Sequence, residues 1–182
     1  MTSLGIKIIT HENWMSPDPL MKNLVILEND KISIMSAGDW AISILKPKLS
    51  ETVPLEIHKL FEVARGSMLY GYFFYPLFTL ASEQLFRVAE AAISEKCKQI
   101  TADKIGKNTF KDKVGRLNKD KLFSDEEYTK WNSLRNLRNI ASHPNEQKIL
   151  PPGIALEFIF NISELINNLF TPMPDLTSTT DT

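Results

Sequence analysis

With 182 residues, 43% of them hydrophobic and 24% charged, the chain has the size and apolar content of one globular domain and is too hydrophobic for a disordered polymer. Its 21 Lys and Arg against 22 Asp and Glu leave a formal net charge of -1, so no overall positive field draws it onto nucleic acid and any such contact must be local. The single cysteine, Cys97, excludes an intramolecular disulfide and a cysteine-based zinc cluster, and agrees with a reducing cytoplasm.

Residues 1–51 read as an N-terminal appendage. The opening MTSLGIKIITHEN lacks the basic start and apolar run of a secretory signal, and no stretch approaches the roughly 18 uninterrupted apolar residues of a membrane span. The expectation is a cytoplasmic protein with no membrane partner. Leu24–Leu27 and Ile32–Met35 flank Glu28-Asn29-Asp30-Lys31, an order that fits a hairpin turning at Asn-Asp, with a helix as the competing reading. Asp39 is placed to cap a short helix through Leu45, which Pro47 ends.

From Val53 the apolar spacing becomes helical, through Leu55, Leu60, Phe61, Ala64 and Met68, with Pro54 in the first turn. The 14-residue run MLYGYFFYPLFTLA reads as buried core, broken at Tyr75 by Pro76. A longer helix is predicted from about Pro76 to Ile100. Its core stripe contains Leu77, Leu85, Val88, Ala92 and Ile93, and its polar face carries Glu83, Arg87 and Glu90. These three form solvated ion pairs, or else Glu83 or Arg87 faces the stretch around Arg138 and His143 across the bundle and orients it.

Residues 101–123 are basic. Phe110, Val114 and Leu117 suggest a short helix surrounded by Lys107, Lys111, Lys113, Arg116, Lys119 and Lys121, a solvated face or a patch that tracks phosphates. Ser124 followed by Glu127 is a capping box, which starts the next helix with a stripe of Tyr128, Trp131, Leu134, Leu137 or Arg138, and Ala141. Pro144 disfavours a helical His143. Pro151-Pro152-Gly153 opens a last helix with a wide apolar face from Ile154 to Phe170, and residues 171–182 read as a disordered tail.

The densest polar constellation is LRNLRNIASHP, Leu134 to Pro144. At four-residue steps Arg135, Asn139 and His143 stack on one helical face, flanked by Arg138. Cutting RNA without a metal uses the ribose 2'-hydroxyl as nucleophile, and needs a group near neutral pKa to move protons and a fixed positive charge to stabilise the phosphorane. An imidazole such as that of His143 suits the first role, and a planar guanidinium such as that of Arg138 the second. The alternative is ordinary: positive groups near a helix C-terminus are favourable there without any function.

Arg138, directly followed by Asn139 and five positions on by His143, at the end of a capped helix and before a proline, resembles the signature of the HEPN superfamily. These are the "higher eukaryotes and prokaryotes nucleotide-binding" helical domains, many of them metal-independent ribonucleases. The likeness covers about residues 53–170 and includes the long helix with a charged face, EQLFRVAE. It implies a mainly α fold, an antiparallel bundle of four to five helices over residues 52–170, beside a short, possibly β-containing appendage at residues 1–51.

It also implies Arg138, Asn139 and His143 as catalytic residues and neither metal nor cofactor; beside them, the residues themselves offer Ser142, Glu83 and Arg87 as substrate contacts and Arg135 as a substrate contact or a surface residue. RNA is the implied substrate and a homodimer the implied assembly, in which the motif helices of two protomers meet in one cleft. The biological setting it suggests is a toxin or effector of a defence system, with an antitoxin or regulatory protein as a further partner. The chain departs from one branch of the family, in which a tyrosine follows the histidine by two residues: Asn145 stands there, so a switch by tyrosine modification is not expected. Members that have lost catalysis bind RNA, nucleotides or proteins on the same fold, and fold alone does not decide between these. A purely structural alternative has the apolar second and last helices serving oligomer assembly.

Overall fold

The computed structural model describes residues 6–28, 30–101, 109–141 and 150–172. Their backbone forms a two-stranded antiparallel hairpin, β1 (Val25–Glu28) and β2 (Lys31–Ile34), and then six helices: α1 (Ala37–Leu45), α2 (Leu55–Tyr70), α3 (Leu77–Thr101), α4 (Phe110–Lys119), α5 (Asp125–Ala141) and α6 (Pro152–Phe170). The expected class, a mainly helical bundle with a short β unit, is the observed one. Five of the six helices fall within residues 52–170.

The hairpin turns where the Asn-Asp pair predicts. Glu28 pairs with Lys31, leaving a two-residue loop in which Asp30 takes φ 62°, the left-handed conformation that tight hairpin loops demand. Two helix starts differ from expectation by a few residues. The N-cap of α1 is Ser36, and Asp39 is its third helical residue, closing a reciprocal capping box through Ser36 Oγ. Pro54 is the N-cap of α2, one position before the first turn.

α4 has a capping box of its own, Thr109 with Asp112, which the basic composition of that segment hides. It ends with a bond from Leu122 N to Leu117 O and another from Lys121 N to Asn118 O, the two-bond helix terminator that needs a left-handed residue at Lys121, φ 57°. The Ser124–Glu127 box of α5 forms as read, with Ser124 Oγ accepting from Glu127 N and Glu127 Oε2 accepting from Ser124 N.

α3, about 37 Å long at helical rise, touches α2, α4, α5 and α6, while α1 packs on α2 and α6. Its stripe of Phe78, Ala81, Leu85, Val88, Ala89, Ala92, Ile93 and Cys97 is buried. From the first 51 residues, Met21, Met35, Trp40, Ile44 and Leu49 enter the same core cluster. Trp40 brings a polar atom with it and satisfies it, donating Nε1 to Met68 O at 3.0 Å.

Two side chains bind distant parts of the chain together. The buried Asp18 carboxylate accepts from Tyr75 N at 2.9 Å and from Leu20 N at 3.0 Å, which fixes the N-terminal segment on the α2–α3 turn. Asn167 of α6 accepts from Ser50 N at 2.8 Å and donates to Lys48 O at 2.9 Å. His58 of α2 is half-buried with Nε2 3.1 Å from Ser50 O, so it holds the same loop. Of the expected apolar face of α6, Ile154 is exposed, as is Leu80 in the long apolar run. Among the described residues no helix is long and apolar enough to cross a membrane.

Candidate functional site

The motif begins in the last turn of α5 and continues beyond it. Arg138 and Asn139 are helical; Ser142, His143, Pro144 and Asn145 lie outside the described residues, as does Lys107 of the basic segment. What positions Arg138 is the core stripe. Trp131 and Leu134 are buried, and Arg138 follows them at steps of three and four, so it projects from the same side of α5. Of the two residues left open for the stripe, Leu137 is 52% exposed and Arg138 is partly covered, so neither is fully buried.

Because that side of α5 faces α3, the guanidinium reaches across the bundle. Arg138 Nη2 donates to Glu90 Oε2 at 3.3 Å, a pair whose side chains are 41% and 37% exposed. Glu83 and Arg87, the residues expected to face the stretch around Arg138 and His143, are both exposed, and His143 lies outside the described residues; among the described residues it is Glu90, two helical turns beyond Glu83, that meets Arg138 from α3. A signal for it was present. Glu90 sits in Val88-Ala89-Glu90-Ala91-Ala92, where small side chains let another helix approach and a carboxylate is the one group able to receive a charge.

Arg135, one turn before Arg138, is half-buried, its Nη2 donating to Asn136 Oδ1 at 3.1 Å, and its buried Nε has no hydrogen-bond partner among the described residues. Asn139 is exposed. Two guanidinium groups on neighbouring turns and an exposed amide make a surface suited to anionic oxygen atoms, with Glu90 as the internal anion that now meets Arg138.

The lysine-rich segment is less of a phosphate track than its composition suggests. Lys113 Nζ donates to Ser94 Oγ at 2.8 Å and Cys97 Sγ lies 3.7 Å from Lys113 O, so this residue anchors α4 on α3. Arg116 approaches Asp120 at 3.9 Å. Lys111, Lys119 and Lys121 remain exposed.

A groove of about 270 Å³ runs between α5 and α6, with Leu134, Leu137, Phe158, Ile162 and Leu165 among its walls. It lies on another flank of α5, and neither Arg135, Arg138 nor Asn139 lines it. Among the described residues no group of three or more His, Cys, Asp or Glu is placed to hold a metal ion. Compared with family models, with curated proteins and with solved structures, the chain matches none.

Proposed function

We propose that the protein is a metal-independent endoribonuclease of the HEPN type, acting on single-stranded RNA. The observation that carries the reading is the placement of Arg138 and Asn139 in the last turn of a capped helix, with His143 five positions after the arginine in the sequence. In this reading the substrate's 2'-hydroxyl attacks the adjacent phosphorus, His143 moves the proton, and the 5'-oxygen leaves, so a 2',3'-cyclic phosphate and a 5'-hydroxyl remain. Arg138 and Asn139 hold the phosphate oxygens as charge builds on them.

Arg135 and Ser142 take neighbouring phosphates, while Glu83 and Arg87 on the exposed face of α3 contact the strand further out. With a net charge of -1, the reading also requires a local concentration of positive charge. A homodimer in which two such helices meet supplies it, by bringing both sets of Arg138, Asn139 and His143 to one cleft. The setting that fits is a cytoplasmic toxin or effector of a defence system, held in check by an antitoxin or other regulatory protein.

The test is direct. Purified protein cuts single-stranded RNA in excess EDTA, and His143→Ala and Arg138→Ala abolish cutting while the circular dichroism spectrum and melting temperature stay as in wild type. Cleavage that persists in both variants removes the assignment.

The contact between Arg138 and Glu90 favours a second reading, a module on the same fold that binds RNA, a nucleotide or a protein without cutting. Binding of single-stranded RNA that is lost in Arg138→Ala, with no turnover in the wild type, selects it.

A further inference from the structure

β1 and β2 carry more apolar surface than the bundle covers. Leu24, Val25, Ile26 and Leu27 form a continuous aliphatic run, the pattern of a strand covered on both faces. Only one face of β1 is covered. Ile26, with Leu24 at the base of the strand, packs against the core cluster, and strand alternation sends Val25 and Leu27 the opposite way. The register pairs Val25 with Ile34 and Leu27 with Ile32, so all four lie together on the outer face. Their exposures are 55% for Val25, 70% for Leu27, 75% for Ile32 and 68% for Ile34, and every residue of β2 is exposed.

We infer that this outer face is the contact with a second copy of the chain, hairpin against hairpin. The face carries no charge, so nothing on it selects a partner of opposite sign, and two flat aliphatic faces are complementary to each other, as a two-fold contact requires. At these exposures the four side chains leave roughly 500 Å² per copy in water, a patch as large as a typical monomer tolerates. Complete burial of both patches removes roughly 1,000 Å², the threshold of a biological interface and the size of a weak, concentration-dependent one. Packed about 10 Å apart, the two hairpins interleave eight aliphatic side chains.

A lipid surface fits less well. Interfacial segments place several basic residues on their polar side, whereas this hairpin brings Lys31, Ser33 and the turn residue Asp30.

The contact goes beyond the proposed function and is separate from its site. The base of the hairpin is tied to the α2–α3 turn by Tyr72 Oη donating to Met35 O at 3.2 Å, and Glu90 lies about 20 Å further along α3 than Leu77. Sedimentation equilibrium of the full chain from about 1 to about 200 micromolar tests it. Wild type self-associates, and the double variant Leu27→Thr/Ile32→Thr, which keeps strand-favouring residues at exposed positions, weakens association at least about tenfold. If copies also meet through α5, the variant falls from tetramer to dimer, and otherwise from dimer to monomer. The mass halves in either case.

Hydrogen exchange gives a second reading that needs no substitution: the amides of residues 25–34 exchange more slowly as wild-type concentration rises. A wild type that stays monomeric throughout, an association unchanged in the variant, exchange at 25–34 independent of concentration, or a monomer whose hairpin binds phosphatidylcholine vesicles overturns the inference.

Discussion

Arg138 Nη2 lies 3.3 Å from Glu90 Oε2, joining the last turn of α5 to the middle of α3 through two side chains that both keep contact with water. At 41% and 37% exposure the attraction is screened, and pairs of this kind contribute less than about 1 kcal/mol. A double-mutant cycle on Glu90→Ala and Arg138→Ala, read by urea unfolding, therefore yields a coupling below about 1 kcal/mol that shrinks in high salt. A coupling of several kcal/mol would make the pair a structural element of the bundle.

Asp18 should behave differently. Its buried carboxylate is the acceptor for Tyr75 N and Leu20 N, and Asp18→Ala leaves both donors without it. Leaving a buried donor unsatisfied costs about 1–3 kcal/mol, so the variant should unfold at clearly lower urea with an unchanged m-value. An unchanged midpoint would show that water reaches the α2–α3 turn.

Lys121 offers the opposite sign. It occupies the left-handed position that ends α4, φ 57°, where glycine has no side chain to clash. Lys121→Gly is expected to stabilise the protein by up to about 1 kcal/mol, because the left-handed conformation costs a side-chain-bearing residue about 1–2 kcal/mol and glycine's looser unfolded state returns part of the gain. Thermal melts in low salt and in high salt separate this backbone effect from the loss of a charge.

Burial pushes the Tyr75 phenol above its ordinary pKa, and the negative charge of Asp18 pushes it the same way. The folded protein holds this proton more tightly than the unfolded chain does. Its contribution is thus fully present below the ordinary phenol value, about 10, and is lost as pH rises through the folded value. Melting temperature should fall on the alkaline side of about pH 10, and Tyr75→Phe should flatten that fall. An identical alkaline slope in the variant would place the titration elsewhere.

Local signals made most of the bundle readable. The Ser124–Glu127 box, the proline pair that opens α6 and the three-and-four spacing of Phe110, Val114 and Leu117 each act within a turn or two of helix, and each appears where the sequence puts it. The hairpin was legible for the same reason, since its loop is two residues long. What sequence could not supply is which helices face one another. Glu83, Arg87 and Glu90 share the polar face of α3; the small residues around Glu90 mark where a helix can approach, but only the placement of α5 shows that Arg138 is the group that meets it. Lys113 looks like any surface lysine until α4 is laid on Ser94. Asp39 was read as a cap when Ser36 is, because both ends of a capping box carry the same signal.

Asn167 gives the chain a particular order of completion during synthesis. Its amide group serves Ser50 N and Lys48 O, 117 and 119 residues earlier in the chain. As the ribosome extends the polypeptide, that loop and the sides of α1 and α3 that α6 covers stay open to solvent until the last helix emerges. Chaperones that bind apolar segments therefore have a defined target on the nascent chain, and it is withdrawn when α6 docks.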